Sequence, residues 1–307
     1  MSRPPEVAAS KPAVPATQER PRVLAVILGQ TRAHELTWGH FKKNVLDVTG
    51  ADLAVCVSEQ YWRAKEREMD PFTRTALYRW FYPELEDWAL AFDQACNCTD
   101  CWRPVLKVKW QLFGGILDPT DEHIGSAGIL LFYRWFLLQN LYDSGAIIKY
   151  DYFMHTAPPL SRSDFYYEAP HPAFSPTQDP RHMWVPEGED YDGLTDRHMV
   201  ASRLHIHSVL GLMEPICASA AGFVTEMNVS AAWNLEIYIK YTLEKHGIWK
   251  YVKRFPRVMY AVRRDEDPTR WSQGEVIAGA PGLVKYPEEF NATRRNVGNR
   301  AWMHEMY

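Results

Sequence analysis

Val23-Leu-Ala-Val-Ile-Leu28, closed by Gly29, and Asp52-Leu-Ala-Val-Cys-Val57 decide the fold. Each is a short aliphatic run with little polar alternation, the pattern of a strand buried on both faces. Between them Trp38 to Val48 places Phe41, Val45 and Leu46 on one helical face, with Thr37 as its cap and Gly50 as its stop. Strand, helix and strand in sequence form a βαβ unit, which predicts a parallel sheet.

Further along, Ala127 to Tyr142 is apolar around its whole circumference and ends at Ser144-Gly145. Such a segment is a buried helix, packed directly on the sheet. Tyr150-Asp-Tyr-Phe-Met154 reads as the next strand, followed by the proline break Ala157-Pro-Pro-Leu160. Met183-Trp-Val185 is a short strand. Asn234 to His246 carries Leu235, Ile239 and Leu243 at helical spacing, with Gly247 as its C-cap. The region from Arg263 to Tyr307 is mixed and loop-rich and is expected to cover the sheet. The expectation is therefore an α/β fold: a mostly parallel central sheet with helices on both faces, formed by residues 22–307 as one domain. Residues 1–21 hold prolines and small side chains that cannot bury enough apolar area to offset ordering entropy, and are expected to be a disordered tail.

Composition excludes several classes. The chain has 34 Lys and Arg against 38 Asp and Glu, a net charge of −4, so no basic excess exists to neutralise a nucleic-acid backbone. Hydrophobic residues at 46% and charged residues at 23% exclude a wholly disordered chain, a collagen and a coiled coil. Twelve Trp, 16 Tyr and 13 Phe are enough both to thicken a core and to line a sugar or nucleotide site. The five cysteines comprise Cys96, Cys98 and Cys101 in one cluster, with Cys56 and Cys217 apart. No second knuckle completes a zinc site, and the small odd count does not read as a secreted disulfide framework, so loop thiols are expected. Asn97, Asn228 and Asn291 each head an Asn-x-Ser/Thr triplet, a motif short enough to arise by chance. The N-terminus lacks an apolar core of the secretory type. Ala127 to Tyr142 is too short for a membrane span and carries Arg134, Gln139 and Asn140. A cytoplasmic protein without a transmembrane segment is expected.

The first strand is followed by Gly29-Gln-Thr-Arg32 rather than a G-x-G-x-x-G turn, which argues against a dinucleotide site. No Walker loop, G-x-S-x-G or H-E-x-x-H is present. Ligands of α/β sheets sit beyond the carboxyl ends of the strands. Asp164, in Arg162-Ser-Asp-Phe165, occupies such a turn, where a carboxylate and a diphosphate can share a hard divalent ion. Capping of a turn, or pairing with Arg162, accounts for it equally well. A second acidic group comprises Glu187, Glu189, Asp190, Asp192 and Asp196, most of it read as a solvated loop. Asp196 opens Asp196-Arg-His-Met-Val200 at an expected helix N-terminus, where a carboxylate can orient an acceptor hydroxyl or act as its base. His205 and His207 share one face of an expected strand, but a histidine pair without a third ligand is more often structural.

Taken in order, the segments Val23–Arg32, Ala51–Cys56, Leu112-Phe-Gly-Gly-Ile116, Gly128–Leu138, Tyr150–Phe153, Arg162–Phe165, Pro186–Arg197 and Asn234-Leu-Glu236 resemble a family. They are similar to the soluble glycosyltransferase-like proteins of algae and large algal viruses, which have a GT-A type nucleotide-diphospho-sugar transferase fold. The resemblance spans about residues 22–275. It implies a metal-dependent transferase that moves a sugar from a nucleotide-diphosphate donor to a glycan or other hydroxyl acceptor. It implies that Arg162-Ser-Asp164 does the work of a DxD motif, with Asp164 on Mn²⁺ or Mg²⁺. Gln30 and Arg32 would face the nucleotide and Arg162 the diphosphate. Asp190 and Asp196 would be the catalytic carboxylates facing the acceptor, and Glu236 would support the same pocket. Members are expected to read Thr-Arg-Ser-Asp unbroken, whereas Ala157-Pro-Pro-Leu-Ser161 intervenes here and would have to loop out. Two other classes compete: a non-catalytic carbohydrate-binding or scaffold protein on the same fold, and a metal-dependent phosphohydrolase. The latter needs two close metals and more paired Asp and His residues than surround Asp164.

Overall fold

A computed structural model describes residues 20–31, 33–59, 70–118, 123–157, 164–172, 179–265 and 273–299. Most of the expected tail, Arg32, Arg162 and residues 158–161 of the insert lie outside the described residues.

The two aliphatic runs are parallel neighbours, β1 (Val23–Gly29) and β2 (Asp52–Ser58), with Leu24 opposite Asp52. Side chains of a strand alternate between faces, and β1 is buried on both. Leu24, Val26 and Leu28 enter one core; Val23, Ala25 and Ile27 enter another, with Phe41 and Val45. The helix between the strands starts at His34, earlier than expected. It runs as α1 (His34–Phe41), a π-helical stretch Lys42–Leu46, and α2 (Asp47–Thr49), and stops at Gly50 in the left-handed region. Thr37 is not its cap. It lies inside α1, and its hydroxyl donates to the carbonyl of Ala33 at 3.1 Å.

The sheet grows outward from β1. After β2 come α3 (Pro71–Thr75) and the edge strand β3 (Tyr78–Tyr82). Then follow α4 (Ala89–Cys96), α5 (Ala127–Asp143), α6 (Ala146–Lys149) and β4 (Tyr152–Thr156), which pairs parallel with β1 on its other side. The all-round apolarity of α5 has its expected cause: Leu131, Phe132, Leu137, Leu138 and Leu141 share the core with Leu24, Val26 and Leu28 of β1. Its Arg134 is fully buried.

The remaining strands are β5 (Asp164–Tyr167), β6 (Met183–Pro186), β7 (His198–Ser202), β8 (Val252–Phe255), β9 (Met259–Arg263), β10 (Glu275–Val276) and β11 (Leu283–Val284). The central sheet has seven strands in the order β3-β2-β1-β4-β7-β6-β8. All run one way except β7, which is antiparallel to both β4 and β6. A second sheet, β10-β11-β9-β5, is antiparallel where its strands pair. Helices α7 (Ile206–Leu210), α8 (Glu214–Ala218), α9 (Ala220–Glu226), α10 (Leu235–Lys245) and α11 (Pro287–Gly298) complete the chain. Among the described residues no helix is long and apolar enough to cross a membrane.

Three local expectations are corrected. The Asp196 segment does not open a helix; it leads into β7, because His198 to Ser202 pair with β4 and are buried throughout. His205 and His207 do not share a strand face: His205 precedes α7 and His207 lies within it, where its ring contacts Tyr142 and Glu214. The clustered cysteines are not loop thiols. Cys96 pairs with Cys217 and Cys98 with Cys101, while Cys56 stays free and buried in β2.

Helix α11 is fastened to the second sheet by the Thr293 hydroxyl, which donates to the Met259 carbonyl at 3.0 Å, and above all by one carboxylate. Glu289 is fully buried, accepts from the Ala261 N–H at 2.8 Å, and pairs with Arg197 at 2.7 Å and Arg257 at 3.6 Å. Removing one partner of a buried pair strands the other, at a cost of about 3–5 kcal/mol. Glu289→Ala is therefore expected to lower unfolding stability by that order in denaturant titration. Glu289→Gln, which keeps an acceptor for Ala261, should lose less. A loss of the size seen at exposed sites would contradict the assignment.

Candidate functional site

The carboxyl ends of β1, β2, β3 and β4 lie along one edge of the sheet, and the chain leaving each one brings polar groups there. From β1 come Gln30 and Thr31, both buried. Gln30 Nε2 donates to Glu84 Oε2 at 3.3 Å, and the Ser58 hydroxyl at the end of β2 donates to the same oxygen. Gln30 Oε1 is buried without a hydrogen-bond partner among the described residues. Burial, with the charge of Glu84 second, pushes the Tyr133 phenol well above its ordinary range. Gln30, Ser58, Glu84 and Tyr133 thus converge on the outer end of β1 and β2.

A second group pins the loop between β1 and α1. The Thr31 hydroxyl donates to Asp70 Oδ2 at 3.1 Å. Asp70 is fully committed: it caps α3 through the N–H groups of Phe72 and Thr73 at 3.0 and 3.2 Å, and accepts from the Thr73 hydroxyl at 2.8 Å. Asp164 is the first residue of β5, not a turn residue, and is buried. Its Oδ2 accepts from the Ala33 N–H at 2.9 Å. Burial, and then the nearby Asp70, raise the Asp164 carboxyl well above the ordinary carboxylate range, so it favours the neutral acid.

These surroundings do not fit a divalent ion. Asp164 Oδ1 has no partner among the described residues. It borders a cavity of about 10 Å³ lined by Ile27, Phe41, Phe72, Phe165 and Tyr167 as well as Thr31 and Thr156. That volume suits about one water molecule. Mg²⁺ demands near-octahedral oxygen ligation and keeps several of its own waters, and a cavity this small, walled by aromatic rings, gives them no room. Among the described residues no group of three or more His, Cys, Asp or Glu is placed to hold a metal.

The third group depends on β7. Because β7 runs antiparallel to β4, its start lies at the end of β4: Thr156 faces His198, and the Ala157 N–H donates to the Arg197 carbonyl at 2.7 Å. Asp196 is delivered to the same edge as Gln30. Its backbone carbonyl accepts from Nη2 of the buried Arg134 at 2.7 Å. Glu236, in the first turn of α10, stands beside it: burial, with the Asp196 charge second, pushes the Glu236 carboxyl up from 4.5 to about 8. Burial thus favours the protonated form of Glu236, the form that can donate a proton rather than take one.

Local sequence explains the approach. Gly193 has no room for a Cβ, because the backbone of Glu236 lies against it. The Leu194 N–H donates to the Glu236 carbonyl at 3.0 Å. Asn234 caps α10 by accepting from the Ile237 N–H at 2.7 Å and donates to the Tyr191 carbonyl at 3.0 Å. The Asp190 carboxylate is engaged in holding this loop, accepting from Arg254 at 2.8 Å and from the Thr195 N–H at 3.2 Å. The structure thus brings Asp196 and Glu236 together, sets Asp190 in their supporting loop, and puts Gln30 at the end of β1. Arg32 and Arg162 lie outside the described residues.

Sequence reasoning missed Ser58, Glu84 and Arg134 as parts of this edge. Only Arg134 carried a signal, a charge in the middle of an apolar helix, which needs a buried polar partner.

No protein-family model matches the chain, and no curated protein matches it. Solved structures that resemble it include two glycosyltransferases. Core-mannan synthase A from Aspergillus fumigatus, in a Mn/GDP form, aligns over 92% of this chain and 84% of its own, at 10% identity and a TM-score of 0.41. Mouse xyloside xylosyltransferase 1, in its apo form, aligns over 76% of this chain and 84% of its own, at 7% identity and a TM-score of 0.38. At scores and identities this low, neither likeness bears on what the side chains described above do.

The geometry yields two expected outcomes. A carboxyl whose folded pKa is raised contributes stability that is complete below its unfolded value and is lost as pH rises through the folded value. For Glu236 that window runs from 4.5 to about 8. The melting temperature of Glu236→Gln should therefore rise relative to wild type across this window, and a difference independent of pH would contradict the pairing with Asp196. At Asp164, where burial and Asp70 push the carboxyl toward its neutral form, Asn is a near-isostere that still accepts from Ala33. Asp164→Asn should leave stability nearly unchanged. Asp164→Ala orphans a buried N–H and should cost about 1–3 kcal/mol in denaturant titration.

Proposed function

We propose that the chain is a glycosyltransferase that moves a sugar from a nucleotide-diphosphate donor to the hydroxyl of a glycan or other acceptor. One observation carries the reading: the buried Asp196 and the Glu236 carboxyl, which burial and then Asp196 push up to about 8, stand together at the carboxyl ends of the central strands, where ligands of such sheets bind. The sequence motifs that resemble GT-A type transferases support it from a separate direction.

In this reading the donor lies along the ends of β1 and β2. Gln30 offers the nucleotide a buried carbonyl oxygen that has no partner among the described residues, and Ser58 and Glu84 border the same place. Arg32 and Arg162 are assigned to the diphosphate, where cations matter most because negative charge accumulates on the leaving group. The acceptor hydroxyl approaches Asp196. Its oxygen bonds to the anomeric carbon as the bond from that carbon to the diphosphate oxygen breaks, and its proton passes to the Asp196 carboxylate. Glu236, protonated at neutral pH, keeps a second negative charge away from the departing diphosphate. Arg134 positions Asp196 by gripping its carbonyl from the core. The resemblance implies Mn²⁺ or Mg²⁺ as cofactor, but no step is assigned to a metal, because the surroundings of Asp164 do not fit one.

Thermal shift with UDP and GDP, in Mn²⁺ and in EDTA, tests the donor site, since a ligand of the folded state raises its melting temperature. A rise is expected with at least one nucleotide. Asp196→Asn should preserve that rise and lower turnover by about 10²–10⁴-fold, the usual contribution of a general base. No rise with any nucleotide overturns the donor site. Nucleotide or glycan binding without transfer in the wild type points to the scaffold reading.

A further inference from the structure

We infer that Asn228 is an N-glycosylation site and that the chain matures in an oxidising compartment. Four of the five cysteines are paired, Cys96 with Cys217 and Cys98 with Cys101. The first bridge joins the end of α4 to α8 across 121 residues, so it links elements that only the folded chain brings together. Cytosolic proteins keep their thiols reduced, and paired cysteines belong to secretory and extracellular surroundings. Proteins made there are also the ones whose exposed Asn-x-Ser/Thr triplets are modified.

The structure separates the three triplets. All three asparagines are exposed. In Asn291-Ala-Thr293 the threonine is fully buried, and its hydroxyl donates to the Met259 carbonyl at 3.0 Å. In Asn97-Cys-Thr99 the middle residue, Cys98, is tied to Cys101. Asn228-Val-Ser230 has neither obstacle. It forms the exposed turn between α9 and α10, with Val229 turned to solvent as well. The Ser230 hydroxyl donates to Asn228 Oδ1 at 2.7 Å, and the Ser230 N–H donates to the same oxygen at 3.1 Å. Among the described residues no hydrogen bond engages Nδ2. An oligosaccharide on that nitrogen displaces no packed side chain.

The modification joins Asn228 Nδ2 to C1 of the first sugar of a polyprenyl-diphosphate-linked oligosaccharide. The bond from C1 to the diphosphate oxygen breaks, the diphosphate leaves with the bonding pair, and one amide proton passes to a base of the modifying enzyme. The inference replaces the cytoplasmic expectation and is independent of the donor reading above.

Mass spectrometry of the full chain, purified without reductant from the cells that make it, tests it. The intact mass is expected to show both cystines and an added glycan. Peptide-N-glycosidase should remove that glycan and leave Asp at position 228. The full chain carrying Asn228→Gln, made in the same cells, should lose that mass and keep its melting temperature. Unmodified Asn at 228 overturns the inference, whether or not the disulfides are present. So does a chain in which Cys96 and Cys217 are free thiols.

Discussion

The antiparallel pairing of β7 with β4 is the constraint on which the candidate site depends. In a wholly parallel sheet the residues preceding a strand emerge at the edge opposite the ligand-binding one. Reversing one strand brings Asp196 and Arg197 to the ends of β1 and β4 instead, with Thr156 opposite His198. A chain of buried neutral hydrogen bonds holds that junction. The Pro172 carbonyl can only accept, so His171 Nδ1 carries a proton toward it at 2.9 Å. His171 Nε2 then accepts from His198 Nε2 at 3.0 Å. His198 Nδ1 is left to accept from the hydroxyls of Thr156 and Tyr167, at 3.0 and 3.2 Å. Protonating His171 would set two donors face to face, and protonating His198 would turn its Nδ1 from acceptor to donor toward the two hydroxyls; burial resists both, holding His171 down to about 4 and His198 well below its ordinary value. The junction stays intact wherever both imidazoles are neutral.

A set of buried charges fixes the loop that leads into β7. Arg197 pairs with Glu189 and with Glu289, and its guanidinium lies over the Tyr286 ring. Arg257 reaches the same Glu289 and grips the carbonyls of Glu187 and Gly188. Desolvating so many ions offsets much of their attraction, and apolar replacements often match such pairs in stability. What the network contributes here is position. It ties the loop from Glu187 to Arg197, the second sheet and α11 into one arrangement, so Asp196 has little freedom to drift from Glu236.

The legible parts of the sequence were those whose cause is local. β1, β2 and α5 are long apolar runs, and burial on all sides leaves that trace wherever the partners come from. The extent of α10 was legible for the same reason, since Leu235, Ile239 and Leu243 recur within successive helical turns. The start of β7 was not. Asp196-Arg-His-Met-Val200 carries three polar residues, and what makes it a strand is a neighbour more than 40 residues away in sequence, β4. The Cys96–Cys217 bridge was hidden likewise, because α8 gives no local sign of facing α4. Of the candidate site, the order of the acidic residues could be read, but the division of labour among them could not: Asp190 and Asp196 look alike in a sequence, and only the Arg254 contact shows that Asp190 is committed to its loop.

Asp164 shows the same principle from the other side. A carboxyl at a strand end is equally suited to a cation or to a backbone N–H, and its surroundings decide between them. Here Phe41, Phe72, Phe165 and Tyr167 keep the space beside it small and apolar, while Asp70, itself saturated by four hydrogen-bond donors, adds a like charge nearby. Both conditions oppose ionisation, and an acid that stays neutral is a poor ligand but a serviceable acceptor for the Ala33 N–H. Glu236 is also pushed toward the neutral form, by burial and by Asp196, but Asp196 lies at the ligand edge of the sheet and Asp164 under the β1–α1 loop. One buried acid thus holds the loop that leaves β1, and another, Glu236, stands beside Asp196. In the proposed reading, chemistry at this edge therefore falls to the second acidic group, while Asp164 holds the loop beside which a ligand at the end of β1 would rest.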